Sequence, residues 1–169
     1  KDDAHATVAE IKEFNGTSLS VEVDVTKMQD CSRMVQAAVS TYGKVDILVN
    51  SAGVTDRNAF ETEATPEEVW DRVLEVNLKG TYLATWHAVP QMKVAGTGSV
   101  VNLGSIVSLV GFPSDRKKGF DPYPSSKGGV LQFTRNLAID MAGHGIRVNC
   151  ICPGHLHTGL TESIFKNPS

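Results

Sequence analysis

The chain has 169 residues, 41% of them hydrophobic and 21% charged, and its formal net charge at pH 7 is −3. These values suit one globular domain over residues 1–169, and they argue against a nucleic-acid partner because the only basic cluster is the short run Arg116-Lys117-Lys118. No apolar stretch approaches the roughly 20 residues of a membrane span, and the first residues lack the apolar segment of a signal peptide. We therefore expect a soluble, cytoplasmic protein with no membrane partner, whose three cysteines are structural.

Apolar, β-branched runs alternate with longer helical patterns, which predicts a parallel sheet built from β-α units. Residues 1–14 are predicted to form a helix, and residues 19–25 the first strand. A helix over residues 27–42 follows and stops at Gly43. Its inward face is predicted to contain Met28, Cys31, Val35, Ala38 and Val39. Residues 45–50 form the next predicted strand.

The second half begins with a long helical pattern over residues 66–92. Thr65 and Glu68 form a capping box around Pro66, and a bend is expected near Gly80. The side chains predicted to face inward are those of Val69, Val73 and Val76. The remaining predicted elements are a strand at 99–103, a polar loop at 112–121, a helix at 122–142 capped by Asp121, and a strand at 146–151.

Tyr123 and Lys127 are four residues apart on the predicted 122–142 helix, so their side chains share one face. A free tyrosine has a pKa near 10, and a neighbouring cation lowers that value by favouring the phenolate. The pair is therefore a candidate general acid and base. Taken alone the spacing is weak, because a tyrosine and a lysine occur at this distance in many helices as a solvated pair.

The Tyr123–Lys127 pair is one of six separate sequence elements that follow one another along the chain. They are Asp24-Val25-Thr26, Asn50-Ser51-Ala52-Gly53, Asn77, Ser105, Tyr123 with Lys127, and Pro153-Gly154 followed by Thr158. In this order the chain resembles the short-chain dehydrogenase/reductase family. The resemblance implies a Rossmann-like, doubly wound parallel α/β sheet with flanking helices. It also implies an oxidoreductase that moves a hydride between NAD or NADP and a secondary alcohol or ketone.

The resemblance implies four catalytic residues. Tyr123 would exchange a proton with the substrate oxygen, and Ser105 would hydrogen-bond the same oxygen. Lys127 would lower the tyrosine pKa and bind the nicotinamide ribose, while Asn77 would hold a water that connects Lys127 to solvent. Val107 and His155 would join Ser105 and Tyr123 in contacting substrate. These roles agree with the need to place a proton donor beside the carbonyl oxygen before chemistry.

The resemblance also implies a set of cofactor contacts. Besides Tyr123 and Lys127, they are Asp24, Val25, Asn50, Ala52, Gly53, Pro153, Gly154, Leu156 and Thr158. Ser51 stands where the family more often has a second asparagine. Two structural alternatives remain open: a helix-capping role for Asp24, and a plain turn after a strand for Pro153, Gly154 and Thr158.

A metal site at His155 and His157 is not expected, since no third ligand stands at a recognisable spacing and Cys150 and Cys152 in a strand are expected to point their thiols to opposite faces. Trp70, Tyr82 and Trp86 are expected in the core or in subunit contacts. The family pairs its two long helices between subunits, which implies a homodimer or homotetramer.

The family begins with a strand and a glycine-rich turn that binds the cofactor pyrophosphate, and no such glycine cluster stands near residue 1. In a sheet of order 3-2-1-4-5-6 the chain would hold strands 3 to 6 and lack the first two, as well as the final strand. Strand 3 would then have no neighbour. We therefore expect the chain to be a portion of a longer protein. By itself, this portion is expected neither to fold fully nor to bind a dinucleotide well.

Two other functions remain open. One is a non-catalytic, dinucleotide-sensing or regulatory protein of the same fold, and the other is a lyase or epimerase. The polar loop between Ser105 and Tyr123 either shapes substrate choice or is a solvated insertion.

Overall fold

The structure is a computed structural model that describes residues 2–60, 62–111 and 120–156. The helices of this part of the chain are α1 (Asp2–Glu13), α2 (Met28–Tyr42), α3 (Pro66–Leu74), α4 (Gly80–Ala95) and α5 (Pro122–Met141). The strands are β1 (Ile47–Asn50), β2 (Gly98–Leu103) and β3 (Ile146–Ile151). Short helical turns lie at Glu75–Lys79, Ile106–Ser108 and Ala142–His144. The predicted alternation of strands and helices is confirmed in this region.

The three strands form one parallel sheet in the order β1-β2-β3. Asn50 pairs with Asn102, and Leu103 pairs with Ile151, so the carboxyl ends of the strands meet at one edge. Parallel neighbours require long crossovers, which α3 with α4 and then α5 supply. The main apolar core packs on this sheet and includes Val35, Ala88, Met92, Val100, Met141, Ile146 and Val148.

Residues 19–25 do not form the predicted strand: they have no sheet pairing, and a turn begins at Val25. The composition is that of a strand, but a strand needs a neighbour to satisfy its backbone groups, and none is present among the described residues. Leu19 and Val21 are consequently exposed. Met28 at the start of α2 is exposed as well, so its predicted inward position is wrong, whereas Cys31 and Val35 are buried as expected.

The outer edge of β1 is also open in the described residues. Ile47 is 64% exposed and Val49 56% exposed, although both are apolar residues of a strand in a parallel sheet. Parallel sheets bury apolar side chains on both faces, so this exposure marks a surface that the described residues leave uncovered.

The long helical segment follows the prediction up to its bend. Thr65 accepts a hydrogen bond from the Glu68 backbone N–H, and the Glu68 carboxylate accepts from the Thr65 N–H at 2.8 Å, which completes the capping box. A π-helical turn at Glu75–Lys79 then joins α3 to α4. Gly80 follows that turn, and a Cβ there would lie 2.7 Å from Cγ2 of Val25. The bend therefore brings the helix backbone against the segment before α2.

The three aromatic residues assigned to the core or to subunit contacts lie on the surface. Trp70, Tyr82 and Trp86 are all exposed, so the core assignment is wrong for them in this chain. The centroid of the Tyr82 ring lies 5.8 Å from that of Trp86 and 6.0 Å from that of Phe133, so α4 and α5 share one aromatic face. No helix among residues 2–60, 62–111 and 120–156 is both long enough and apolar enough to cross a bilayer.

The close approach at Gly80 generates a stability prediction. Gly80→Ala should lower the free energy of unfolding by about 1–3 kcal/mol, because its methyl group overlaps the stiff side chain of Val25. Gly128→Ala is the matched control: it also lies inside a helix, but a Cβ there meets nothing within 4 Å. That control should gain about 1 kcal/mol from helix propensity. Urea unfolding of both variants checks this, and equal stabilisation by the two alanines would contradict the packing described at Gly80.

Candidate active site

Lys127 is a buried cation at the centre of the candidate site. Asp121 begins α5 by accepting a hydrogen bond from the Tyr123 N–H at 2.9 Å, and Pro122 occupies the first turn, so the helix presents Tyr123 and Lys127 on one face. Lys127 is only 6% exposed. Its Nζ donates a hydrogen bond of 2.6 Å to the Leu103 carbonyl at the end of β2. Burial lowers the pKa of Lys127, and the nearby thiols of Cys150 and Cys152 act in the opposite direction.

Tyr123 is half-buried beside this cation. The Lys127 Nζ lies 5.8 Å from the centroid of the tyrosine ring. Burial is the main influence on the phenol and raises its pKa, while a hydrogen bond with the Ser105 side chain lowers the pKa and Asp121 raises it. The expected lowering of the tyrosine pKa by Lys127 is therefore not observed in this structure, because desolvation prevails and the cation faces the ring.

Ser105 is held at the end of β2 by a tight turn. Its N–H donates to Ser108 Oγ at 3.1 Å, and its own Oγ accepts from the Val107 N–H at 3.4 Å. Two backbone hydrogen bonds, one on each side of Ser105, attach this segment to the end of β3. The Gly104 N–H donates to the Ile151 carbonyl and the Ile106 N–H donates to the Pro153 carbonyl, each at 2.8 Å. These bonds fix the backbone of Ser105 beside the ends of β2 and β3.

Asn77 lies fully buried inside the π-helical turn, where the sequence predicted a bend. Its Oδ1 accepts from the Val54 N–H at 2.8 Å, and its Nδ2 donates to the Val54 carbonyl at 2.9 Å and to Ser126 Oγ at 3.0 Å. Ser126 in turn donates to the Tyr123 carbonyl at 2.8 Å. One amide therefore ties the segment after β1 to the first turn of α5.

Gly53 occupies the space between these groups. A Cβ at this position would lie 3.4 Å from Asn77 Oδ1 and 3.6 Å from Lys127 Nζ. The segment after β1, the π-helical turn and α5 thus converge on one point beside the strand ends. This edge is where doubly wound α/β folds bind their ligands.

Asn50 has a structural role that the sequence prediction did not include. Its Nδ2 donates to Asn102 Oδ1 at 2.8 Å and to Thr85 Oγ1 at 3.0 Å, and Asn102 donates to Thr134 Oγ1 at 2.9 Å. These contacts tie β1 to β2, α4 and α5. Asn102, Thr85, Thr134 and Ser126 were missed; the available signal was a polar residue, Asn102, in a strand otherwise filled with Val and Leu.

Asp24 and Val25 lie just before α2 and outside the sheet. Asp24 Oδ1 accepts hydrogen bonds from the Thr26 N–H at 3.0 Å and from Thr26 Oγ1 at 2.8 Å. These bonds lower the pKa of Asp24. The residue therefore stabilises the local turn, while α2 itself begins after Lys27. Its contact with a cofactor stays a prediction.

The other predicted contact residues surround the strand ends. Ala52, Gly154, His155 and Leu156 are exposed, and Val107 and Pro153 are half-buried. Thr158, His157 and the charged part of the polar loop at 112–119 lie outside the described residues. Within the described ranges, no group of three or more His, Cys, Asp or Glu side chains could hold a metal ion.

The prediction for Cys150, in β3, and Cys152, directly after it, is wrong in one respect. Cys150 and Cys152 were expected to point to opposite faces, but their Sγ atoms lie 3.9 Å apart. Side chains alternate along a strand with a period of two, so residues i and i+2 share a face. Both thiols are free of disulfide bonds.

The residues present fit the nicotinamide end of a dinucleotide. An ammonium has three N–H donors, and among the described residues Lys127 Nζ donates only to Leu103, although it is almost completely buried. A ribose with two hydroxyls would supply the missing acceptors. The small residues Ala52 and Gly53 leave the backbone after β1 open to such a ligand.

Comparisons with known proteins identify the family. The family model described as short chain dehydrogenase matches residues 1–169. The chain is 40% identical to 2-(R)-hydroxypropyl-CoM dehydrogenase of Xanthobacter autotrophicus, and the alignment covers 89% of this chain. It is 37% identical to dehydrogenase/reductase SDR family member 4 of Bos taurus, and that alignment covers 100% of this chain. A Staphylococcus epidermidis 3-oxoacyl-[acyl-carrier-protein] reductase is 35% identical over 97% of the chain. The chain belongs to the short-chain dehydrogenase/reductase family.

Solved structures agree with this assignment. A protein from Sinorhizobium meliloti described as a short-chain alcohol dehydrogenase superimposes with a TM-score of 0.82 at 35% identity, over 97% of this chain and 62% of the other. The chain spans between 58% and 64% of the length of the three curated relatives named above.

The hydrogen bonds of Asn77 generate the second prediction. Asn77→Ala should lower the free energy of unfolding by about 2–4 kcal/mol, because both backbone groups of Val54 lose a buried partner. Asn136→Ala on the exposed side of α5 should change stability by no more than about 0.5 kcal/mol. Thermal or urea unfolding of both variants is the measurement. Equal effects of the two substitutions would exclude Asn77 as the link between the two segments.

Proposed function

We propose that the protein is an NAD- or NADP-dependent oxidoreductase that interconverts a secondary alcohol and a ketone. The observation that carries this proposal is the buried Lys127 one helical turn from Tyr123, with its Nζ 5.8 Å from the centroid of the tyrosine ring and with the Ser105 side chain close enough to lower the pKa of the phenol. Two of the relatives are named as a dehydrogenase of a hydroxyalkyl compound and a reductase of an oxoacyl compound, which supports this substrate class.

In this proposal Tyr123 is the residue that donates or accepts the proton. During ketone reduction the phenol donates its proton to the carbonyl oxygen while a hydride arrives at the carbonyl carbon, and during alcohol oxidation the phenolate accepts the hydroxyl proton. Ser105 hydrogen-bonds the same oxygen and holds it beside Tyr123. The bound nicotinamide supplies the hydride or accepts it.

Lys127 and Asn77 act on the other side of this pair. The Lys127 ammonium has donors available for the ribose hydroxyls, since its Nζ donates only to the Leu103 carbonyl among the described residues. Asn77 is a positioning residue in this account, since its amide fixes Val54 and Ser126. The predicted water held by Asn77 stays a proposal, as do the cofactor contacts of Asp24, Val25, Asn50, Ala52, Gly53, Pro153, Gly154, Leu156 and Thr158.

We further propose that the protein works as a homodimer or homotetramer. The aromatic face formed by the exposed Tyr82 and Trp86 and the half-buried Phe133 lies across both long helices, α4 and α5. A contiguous exposed aromatic face costs free energy in water, and pairing with a second copy would bury it. The cytoplasmic location and the choice between NAD and NADP stay predictions.

The role of Tyr123 is tested by removing its hydroxyl group. Tyr123→Phe should lower kcat/KM by about 100- to 10,000-fold, because the proton then has no positioned donor or acceptor. Turnover is followed by nicotinamide absorbance with a panel of secondary alcohols and ketones. Tyr42→Phe is the control, since it removes the same hydroxyl from an exposed tyrosine at the end of α2 and should leave kcat/KM unchanged. Equal turnover by Tyr123→Phe and wild type would refute the proposed role of Tyr123, and no turnover by either would favour a non-catalytic protein or a lyase.

The raised pKa of Tyr123 predicts opposite pH profiles for the two directions. Burial keeps the phenol protonated at neutral pH, which suits the donor needed for ketone reduction. Alcohol oxidation needs the phenolate, so its kcat/KM should rise with pH through the neutral and mildly alkaline range, while the reductive kcat/KM falls only above the tyrosine pKa. Initial rates from pH 6 to about pH 10 check this. A flat oxidative profile would argue against Tyr123 as the titrating base.

A further inference from the structure

A second serine, Ser108, joins the turn that follows β2 to the helix that carries Tyr123 and Lys127. Its Oγ accepts a hydrogen bond from the Ser105 N–H at 3.1 Å and donates one to the Lys127 carbonyl at 2.9 Å. One hydroxyl group therefore contacts the backbone of two residues of the proposed reaction, although these residues lie on different elements of the fold.

A hydroxyl suits both of these partners. A backbone N–H needs an acceptor and a carbonyl needs a donor, and a serine hydroxyl supplies one proton and two lone pairs. Ser105 is the N-cap of the short turn Ile106–Ser108, and Ser108 is the third residue of its capping box. That position usually holds Glu or Gln. An ionised Glu would accept from the Ser105 N–H but could not donate to the Lys127 carbonyl, so serine is what extends the capping box to α5.

The surroundings of Ser108 restrict where its hydroxyl can lie. The residue is half-buried, and a Cβ at Gly104 would lie 3.2 Å from Ser108 Oγ, so the hydroxyl packs closely against the end of β2. The Ile106 N–H attaches the same turn to the Pro153 carbonyl after β3. The turn is thus fixed to the end of β3 by its backbone and to α5 by the Ser108 hydroxyl.

We propose that Ser108 is a positioning residue that sets the placement of Ser105 relative to the face of α5 on which Tyr123 and Lys127 lie. This inference rests on the proposed function, because it concerns the alignment of the groups that would act on the same substrate oxygen. A displacement of about 1 Å can cost a reaction about 100-fold. Two backbone groups already engage the Ser108 hydroxyl, so this residue acts through Ser105 and Lys127 and does not act on the substrate itself.

A purely structural role for Ser108 would have different consequences. A serine that only stabilises the fold changes the free energy of unfolding when it is replaced, but it leaves the chemistry of the folded molecules unchanged. Burial raises the pKa of Tyr123 and the Ser105 side chain lowers it, so a displaced Ser105 leaves this pKa higher. Because alcohol oxidation needs the phenolate, the rise of its kcat/KM with pH should then move to higher pH.

The test compares three variants of the protein by nicotinamide absorbance. Ser108→Ala should lower kcat about 10- to 100-fold in both directions and shift the oxidative pH profile to higher pH, while KM for the cofactor changes less than about twofold. Ser108→Thr keeps the hydroxyl and should retain kcat within about threefold of wild type. Ser32→Ala is the matched control, since it removes a hydroxyl that accepts a hydrogen bond from Gln36 on α2, and it should leave kcat unchanged.

Hydrogen exchange tests the contact itself without turnover. The Ser105 amide should be protected in the wild type and should exchange at least about tenfold faster in Ser108→Ala. The amides of β3 should keep their rates, which establishes that the variant is folded.

The outcomes separate this inference from the proposed function. An unprotected Ser105 amide in the wild type would overturn the inference alone, as would wild-type kcat with an unshifted pH profile in folded Ser108→Ala. A loss of activity in Ser108→Thr that leaves the Ser105 amide protected would overturn it as well. Absence of turnover by the wild-type protein would instead refute the proposed function and, with it, the role of Ser108.

Discussion

The candidate site depends on one buried side-chain amide, that of Asn77. It lies in a π-helical turn, binds both backbone groups of Val54 and also donates to Ser126 on α5. A regular α-helix would carry this side chain at a different angle, so the irregular turn is what directs the amide at two chain segments. Because Lys127 follows Ser126 directly, the position of the buried ammonium is set by the same contact.

The strand ends are joined by polar side-chain contacts, while the helices pack on the sheet through apolar ones. Asn50, Asn102 and Thr134 form a chain of hydrogen bonds across β1, β2 and α5 beneath the site. Buried polar groups cost free energy unless they are paired, so such a chain tolerates few arrangements of the three elements. The rigidity needed to place Ser105 beside Tyr123 follows from this pairing and from the two backbone bonds of Gly104 and Ile106.

Much of the fold could be predicted from local patterns. The capping box at Thr65, the stop at Gly43 and the amphipathic helices depend on nearby residues and are confirmed. Residues 19–25 were mispredicted because a strand depends on a partner distant in sequence. The motif residues Ser105, Tyr123, Lys127 and Asn77 were identified by resemblance, whereas Asn102 and Ser126 became visible only through their contacts. The direction of the Tyr123 pKa shift depends on burial, which spacing along a helix does not reveal.

The open edge of β1 has a consequence for work with this chain in isolation. Backbone groups on that side, together with the exposed Ile47 and Val49, present the pattern on which another strand can add. Pairing of this edge with a different edge of another copy is heterologous and does not close on itself, so it yields aggregates of increasing size. Measurements on this protein therefore need a strand that covers this edge of β1.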